Sequence, residues 1–270
     1  MSHLETSATV LPGIINTAIK HGVDIAAILQ KFGISLDLKD ITQSTINLEV
    51  LHAIVTEVER VAKIPAIGLQ TGEDFDFDYL PHLKTYLMSA STLREAYHAT
   101  DRVRQLISPI LVLKLEETET DAILSLLPEM ELSYEDERHY VEMVFSTIKT
   151  IFKKLLKKDC PPKSVQFRHR ETHLLSIYKE CFHCQVVFDA GENAIIFDRE
   201  LLDVPLPGGF PEIHSQAKQL IDQQLSESPL HTGLDKKITR IMKKQKSLLN
   251  APIEQVARTL HMSSRTLQRR

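Results

Sequence analysis

Glycine is scarce in this sequence, 9 of 270 residues, against a usual share of about 7%. No two glycines stand as Gly-x-Gly, and no Gly-x-x-x-x-Gly-Lys occurs. A glycine-cradled phosphate site of the dinucleotide or P-loop kind is therefore unsupported. Three cysteines are too few, and odd in number, for a disulfide framework. No run approaches the ~18 continuous apolar residues of a membrane-crossing helix. Met1 to Lys20 lacks a cationic stretch followed by an apolar one, so no signal peptide is expected and the cytoplasm is the expected compartment. Gly-x-Ser-x-Gly, His-Glu-x-x-His and kinase signatures are absent, so the expectation is a protein that is not an enzyme and uses no cofactor.

What is present is a globular balance of 43% hydrophobic and 25% charged residues, long enough for one large domain or two smaller ones. The net charge of −4 hides an asymmetry. Leu234 to Arg270 holds ten Lys/Arg against Asp235 and Glu254, a net +8, which leaves −12 for the rest. An acidic body with a basic end suits a highly negative partner, most simply nucleic acid. A solvated lysine-rich helix would give the same count.

Apolar spacing predicts helices across 10–62, with breaks at Gly22 and Gly33. Thr92 and Glu95 form a capping box that opens a helix with Leu93, Ala96, Tyr97, Val103 and Leu106 on its inner face. Ile110–Leu115 and Ala122–Leu127 flank a charged turn and read as a β-hairpin. The longest helix is expected over Ser133 to Lys157, where Val141, Val144, Phe145, Ile148, Ile151, Phe152, Leu155 and Leu156 keep a 3–4 rhythm. Strand-like runs follow at Ser164–His169, Cys184–Asp189 and Ala194–Asp198, the last two read as a second hairpin. A short helix is expected over Thr172–Cys181 and another over Glu212–Leu225. The two hairpins point to an α+β fold, helices packed on a mainly antiparallel sheet, for residues 1–225. A linker at 226–233 and a small all-α region at 234–270 complete the expected plan.

Cys181-Phe-His-Cys184, with His169, His173 and His183 nearby, has ligands for zinc. Without a second pair at zinc spacing, buried cysteines are the preferred reading, and no metal is expected. Glu73, Asp74, Asp76 and Asp78 alternate with Phe75, Phe77 and Tyr79, a cation site or, preferably, an exposed alternating loop. Ile213, Ala217, Leu220 and Leu225 make a short apolar stripe. That stripe suits a homodimer or docking onto the chain's own domain.

The basic end is the most informative part. Leu234, Ile238, Ile241, Met242 and Leu248 give an amphipathic helix whose outer face carries Lys243. Asn250 and Pro252 suit the start of the next helix, Ile253 to Leu260. After a tight turn, Ser263 can cap a third helix, on which Arg265, Gln268 and Arg269 share one face. This is a helix-turn-helix with a base-reading set, Arg suiting guanine and Gln adenine.

Ile253-Glu-Gln-Val-Ala-Arg-Thr-Leu-His-Met-Ser-Ser-Arg-Thr-Leu-Gln-Arg-Arg270 resembles the first helix-turn-helix of AraC/XylS-type transcription regulators. Upstream, Tyr86-Leu-Met-Ser-Ala-Ser-Thr-Leu-Arg-Glu-Ala-Tyr97, Pro162-Lys-Ser-Val-Gln-Phe-Arg-His169 and Val187-Phe-Asp189 through Leu206 resemble the arabinose-binding-type effector domain of one branch of that family. The family's DNA-binding region holds two such units joined by a long helix, and this sequence ends within the first. The resemblance implies a ligand-responsive transcription regulator with DNA and a small-molecule effector as partners and no membrane. The alternative is a sensing and dimerisation protein that no longer binds DNA specifically. Ser263, Arg265, Gln268, Arg269 and Lys243 are the expected DNA-binding residues, and Tyr86, Tyr97, Arg102 and Phe145 the expected ligand-binding ones.

Overall fold

The computed structural model describes residues 5–34, 41–127, 134–170, 174–227 and 252–259. The N-terminal part is helical: α1 Leu11–Lys20, α2 Ile25–Lys31 and α3 Leu48–Ala62. Asp24 caps α2 by accepting from the Ala27 N–H at 3.1 Å. Asn47 caps α3, accepting from the N–H groups of Glu49 and Val50 at 2.9 and 3.3 Å, so orphan donors at the helix start are satisfied. Two short strands, β1 Glu5–Ser7 and β2 Thr45–Asn47, pair antiparallel through Thr6 and Ile46. The all-helical reading of 10–62 is corrected at β2, because three residues are too few for alternation to register.

Helices α4 Ile67–Asp74, α5 Pro81–Met88, α6 Leu93–Tyr97 and α7 Thr100–Leu106 follow. The Thr92 half of the capping box forms, its hydroxyl accepting from the Glu95 N–H at 3.1 Å, while the Glu95 carboxylate reaches one residue further back and accepts from the Ser91 N–H at 2.6 Å. The single helix expected beyond Thr92 is split into α6 and α7. The N–H groups of His98 and Ala99 reach back only three residues, to Glu95 and Ala96, which tightens the chain and ends α6.

The expected first hairpin is β3 Val112–Glu117 with β4 Asp121–Leu127, in a register that sets Leu113 opposite Leu126 and Leu115 opposite Leu124. The long helix is α8 Tyr134–Leu156. Then come β5 Ser164–Gln166, α9 Leu175–Phe182, β6 Gln185–Val187 and β7 Asn193–Asp198. The five strands lie in the order β3-β4-β7-β5-β6, antiparallel except for β5 and β6. The fold is α+β. The second hairpin is corrected, because β5 lies between β6 and β7. Beyond β6 the N–H groups of Asp189 and Ala190 still bond the carbonyls of His169 and Phe167, so the chain tracks the β5 side instead of turning onto β7. Helix α10 Pro211–Glu227 and a helix at Ile253–Thr259 complete the described elements.

Helix α8 is the shared wall of the molecule. Helix α4 lies directly against it through Gly68 and Gly72. A Cβ at Gly68 would stand 2.5 Å from the His139 carbonyl oxygen, and one at Gly72 2.4 Å from that of Met143. The Ser146 hydroxyl donates to the Leu69 carbonyl at 2.6 Å and that of Thr147 to the Gly72 carbonyl at 3.3 Å. The acidic run, which begins in the last turn of α4, is corrected from an exposed loop to an ion-paired seam. Glu73 pairs Lys149, Asp74 pairs Lys20, Asp76 pairs Lys84 and Lys154, and Asp78 pairs Lys84. Between the acids, Phe75 and Phe77 meet edge to face at 5.1 Å.

The apolar stripe of α10 divides. Ala217 is buried, beside Ile221, where α10 sits on α5, and Leu225 is partly buried, while Ile213 and Leu220 are exposed. Among the described residues no helix is long and apolar enough to cross a membrane.

Candidate functional site

The N-terminal helices and the sheet do not close fully on each other. A cavity of about 160 Å³ lies between them. Leu51 and Val55 of α3, Ala96 of α6, Val103 of α7, and Leu113 and Leu115 of β3 form opposing walls. The long wall is α8, which contributes Tyr140, Val144, Thr147, Ile148, Ile151 and Leu155. Their i, i+3, i+4 spacing places them on one stripe of the helix. Phe75 and Phe77, turned inward from the acidic seam, also line it. No Lys, Arg, Asp or Glu lines it among the described residues.

The polar side chains of the wall gather toward the first turns of α8: His139, Tyr140, His52 of α3 and Ser108 after α7. His139 is 4% exposed. Its Nε2 lies 2.9 Å from Glu59 Oε2, and Arg138 donates to the same carboxylate at 2.8 Å. Burial pushes Glu59 up, but the bonds from His139 and Arg138 outweigh it and hold the carboxyl at about 2. Arg138 Nη2 stands 2.8 Å from the same Nε2, so Nδ1 accepts where Nε2 gives its proton to Glu59 and donates where Nε2 accepts from Arg138. Nδ1 is buried and has no partner. The buried Tyr140 hydroxyl lies beside Ser108 without a hydrogen bond of ordinary geometry, and burial raises its pKa.

Behind this end, Arg138 also faces Glu142 at 3.4 Å, and the Tyr178 hydroxyl donates to Glu142. Burial raises the Glu142 pKa against the pull of Arg138 and Tyr178. Burial likewise lowers the His52 pKa, against Asp136 at 3.7 Å. The cavity thus has a wall without Lys, Arg, Asp or Glu among the described residues and a charged network one layer behind it.

Of the four side chains expected to bind ligand, Tyr97 lines the cavity. Its phenol donates to the Leu113 carbonyl at 3.0 Å and accepts from the Leu115 N–H at 3.2 Å, so it ties α6 to the edge strand and offers the cavity its ring. Tyr86, Arg102 and Phe145 lie off the cavity wall. Tyr86 stacks on His214 of α10 with ring centroids 4.1 Å apart. Arg102 pairs with Asp222 of α10 at 3.0 Å. Phe145 is fully buried on another side of α8, beside Phe167.

Ser263, Arg265, Gln268, Arg269 and Lys243 lie outside the described residues. Cys181 is buried, and burial pushes its thiol up to about 12. No three metal-ligating side chains converge among the described residues.

Sequence reasoning passed over His52, Ser108, His139 and Tyr140. Tyr140 opens the stripe that continues through Met143, Thr147 and Ile151, which was a readable signal. His52 and Ser108 reach the site only through the tertiary fold.

The model for the arabinose-binding domain of AraC transcription regulators, N-terminal, matches residues 22–206. That span carries almost the whole cavity wall. No curated protein matches the chain. Among solved structures, the crystal structure of transcriptional regulator CdpR from Pseudomonas aeruginosa is similar in fold. It is 17% identical, covers 91% of this chain and 76% of its own, and gives a TM-score of 0.56.

Proposed function

The chain belongs to the family of arabinose-binding N-terminal domains of AraC transcription regulators, and from that premise we propose that it is a non-enzymatic, ligand-responsive regulator that senses a small molecule in the cavity beside α8. The observation that carries this reading is the cavity itself. Protein interiors pack closely, yet here two layers part around a wall free of charged side chains. Such an apolar concavity with a few convergent polar groups is the usual form of a small-molecule site.

In this reading residues 1–225 sense and residues 234–270 contact DNA, joined by the linker at 226–233. Arg265, Gln268 and Arg269 read bases, Ser263 caps their helix, and Lys243 contacts phosphate. Helices α5, α6 and α7 are the route between the two functions. Leu87, Ala96 and Val103 on them line the cavity, while Tyr86 and Arg102 on α5 and α7 hold α10. A ligand that shifts the first set bears on the second.

A thermal-shift screen of metabolites tests the sensing half, since a ligand of the folded state raises Tm with its concentration. The expected result is at least one compound that does so and changes the affinity of the chain for operator DNA. Saturating compounds that leave DNA affinity unchanged would overturn the regulator reading.

A further inference from the structure

We propose that the cavity takes an uncharged, mostly hydrocarbon molecule with one hydroxyl head, read by His139 Nδ1 and the Tyr140 hydroxyl. The proposal rests on the sensing role given above and names the ligand class for it. Volume does not decide the class: an apolar cavity of comparable size stays dry and takes a benzene-sized molecule, and a pentose is little larger. The wall decides. A pentose would bury several hydroxyls, and each one left unpaired weakens binding by on the order of tenfold.

Partners for them are few. The Thr6 and Thr147 hydroxyls have committed their protons to the carbonyls of Ile107 and Gly72 and can only accept, and the Tyr97 phenol is taken up by β3. Among the described wall residues, the fully buried polar atoms left without a partner lie at one end: His139 Nδ1 and the Tyr140 hydroxyl.

The head is neutral because no Lys, Arg, Asp or Glu among the described wall residues answers a charge. The guanidinium behind the wall, Arg138, is held by Glu59 and Glu142. A carboxylate head would also face the negative Glu59 through His139. An ammonium head would meet no carboxylate on the wall. A hydroxyl both donates and accepts, so it answers Nδ1 in either tautomer and takes the complementary role toward the phenol. The rest of the ligand lies along Val144, Ile148, Ile151 and Leu155.

The experiment is calorimetric titration of the full chain with hexan-1-ol, hexanoate, L-arabinose and benzene at one neutral pH. Hexan-1-ol is expected to bind at least about tenfold more tightly than hexanoate, and arabinose to give no heat. Tyr140→Phe should weaken hexan-1-ol by about fivefold to tenfold and leave benzene unchanged. Ala96→Leu fills the void and should remove binding of both. Preferred binding of hexanoate or arabinose, or full hexan-1-ol affinity in Tyr140→Phe, overturns the ligand class while the cavity keeps its sensing role. Failure of all four compounds to bind, benzene included, overturns the sensing role as well.

Discussion

Two sides of helix α8 use apolar side chains in opposite ways. On one, Phe145 is fully buried with its ring 5.7 Å from Phe167, which in turn meets Tyr178 at 5.3 Å and Phe188 at 5.7 Å. That side is filled. On the other, Tyr140, Thr147, Ile148 and Ile151 face a cavity. The residue types are similar, so hydrophobicity does not distinguish core from site. The distinction lies in what the opposite layer supplies. Aromatic rings from the sheet and α9 interlock under Phe145. Across the other side stand smaller side chains, Ala96, Val55 and Val103, on helices already fixed elsewhere. Helix α4 sets the spacing, because Gly68 and Gly72 hold α8 at backbone contact.

The strongest way to break the comparison is to truncate each side. Phe145→Ala should cost about 3–5 kcal/mol, since it removes a large ring and leaves a void in a packed cluster. Met143→Ala, on the cavity side and only half-buried, should cost about 1 kcal/mol, because little new void is made. Urea midpoints of the two variants measure the difference. Equal losses would mean that the cavity side is packed in solution.

The next effect sharpens the contrast electrostatically, because the charged groups behind α8 serve both sides. Glu59, on the cavity side, is held at about 2, below its ordinary 4.5. A carboxyl depressed in the folded state stabilises the fold fully above its ordinary value and loses that contribution as pH falls toward the folded one. Stability should therefore drop by on the order of 2 kcal/mol between about pH 5 and about pH 2. Asp76, held at about 2 by Lys154 and Lys84 against its burial, adds to the same window. Glu142, on the packed side, acts in reverse: its raised pKa gives stability at low pH that fades as pH rises through the folded value. Glu59→Gln should flatten the acid limb of a stability–pH curve, and an unchanged limb would remove Glu59 from this account.

Much of the fold was legible where local chemistry repeats. The Thr92 cap of α6 and the β3–β4 hairpin follow from spacing and from side chains acting on their own neighbours. What was not legible depends on distant pairing. Nothing in Cys184–Asp198 says that β5 will lie between β6 and β7, and nothing near Gly68 announces that α8 will press on it. The site divides in the same way. Tyr97 reaches the cavity because the Thr92 cap fixes its helix. Tyr86 and Arg102 are aromatic and charged in the right region, but α10 comes from more than a hundred residues downstream to engage them. His139 precedes the apolar rhythm that marked α8, so its place in the wall appears only when Glu59 is brought across from α3.

The smallest effect on stability carries the finest form of the comparison, between the cavity wall and the seat of α10. Arg102 and Val103 are neighbours on α7 but point to different tasks: Val103 lines the cavity, and Arg102 holds Asp222 of α10 at 3.0 Å. The pair is partly exposed, with Asp222 51% accessible, so Arg102→Ala should cost less than ~1 kcal/mol of stability. It should also leave hexan-1-ol affinity unchanged, since Arg102 is off the wall. Its effect should fall on the coupling between sites, which is measured as the ratio of DNA affinities with and without ligand. If α7 passes a shift at Val103 to α10 through Arg102, that ratio should move toward one in the variant while Tm and ligand affinity hold. Anisotropy titrations of operator DNA by both proteins, each with and without saturating hexan-1-ol, give the four affinities. An unaltered ratio would show that Arg102 only anchors α10, and would shift the route to the Tyr86–His214 stack.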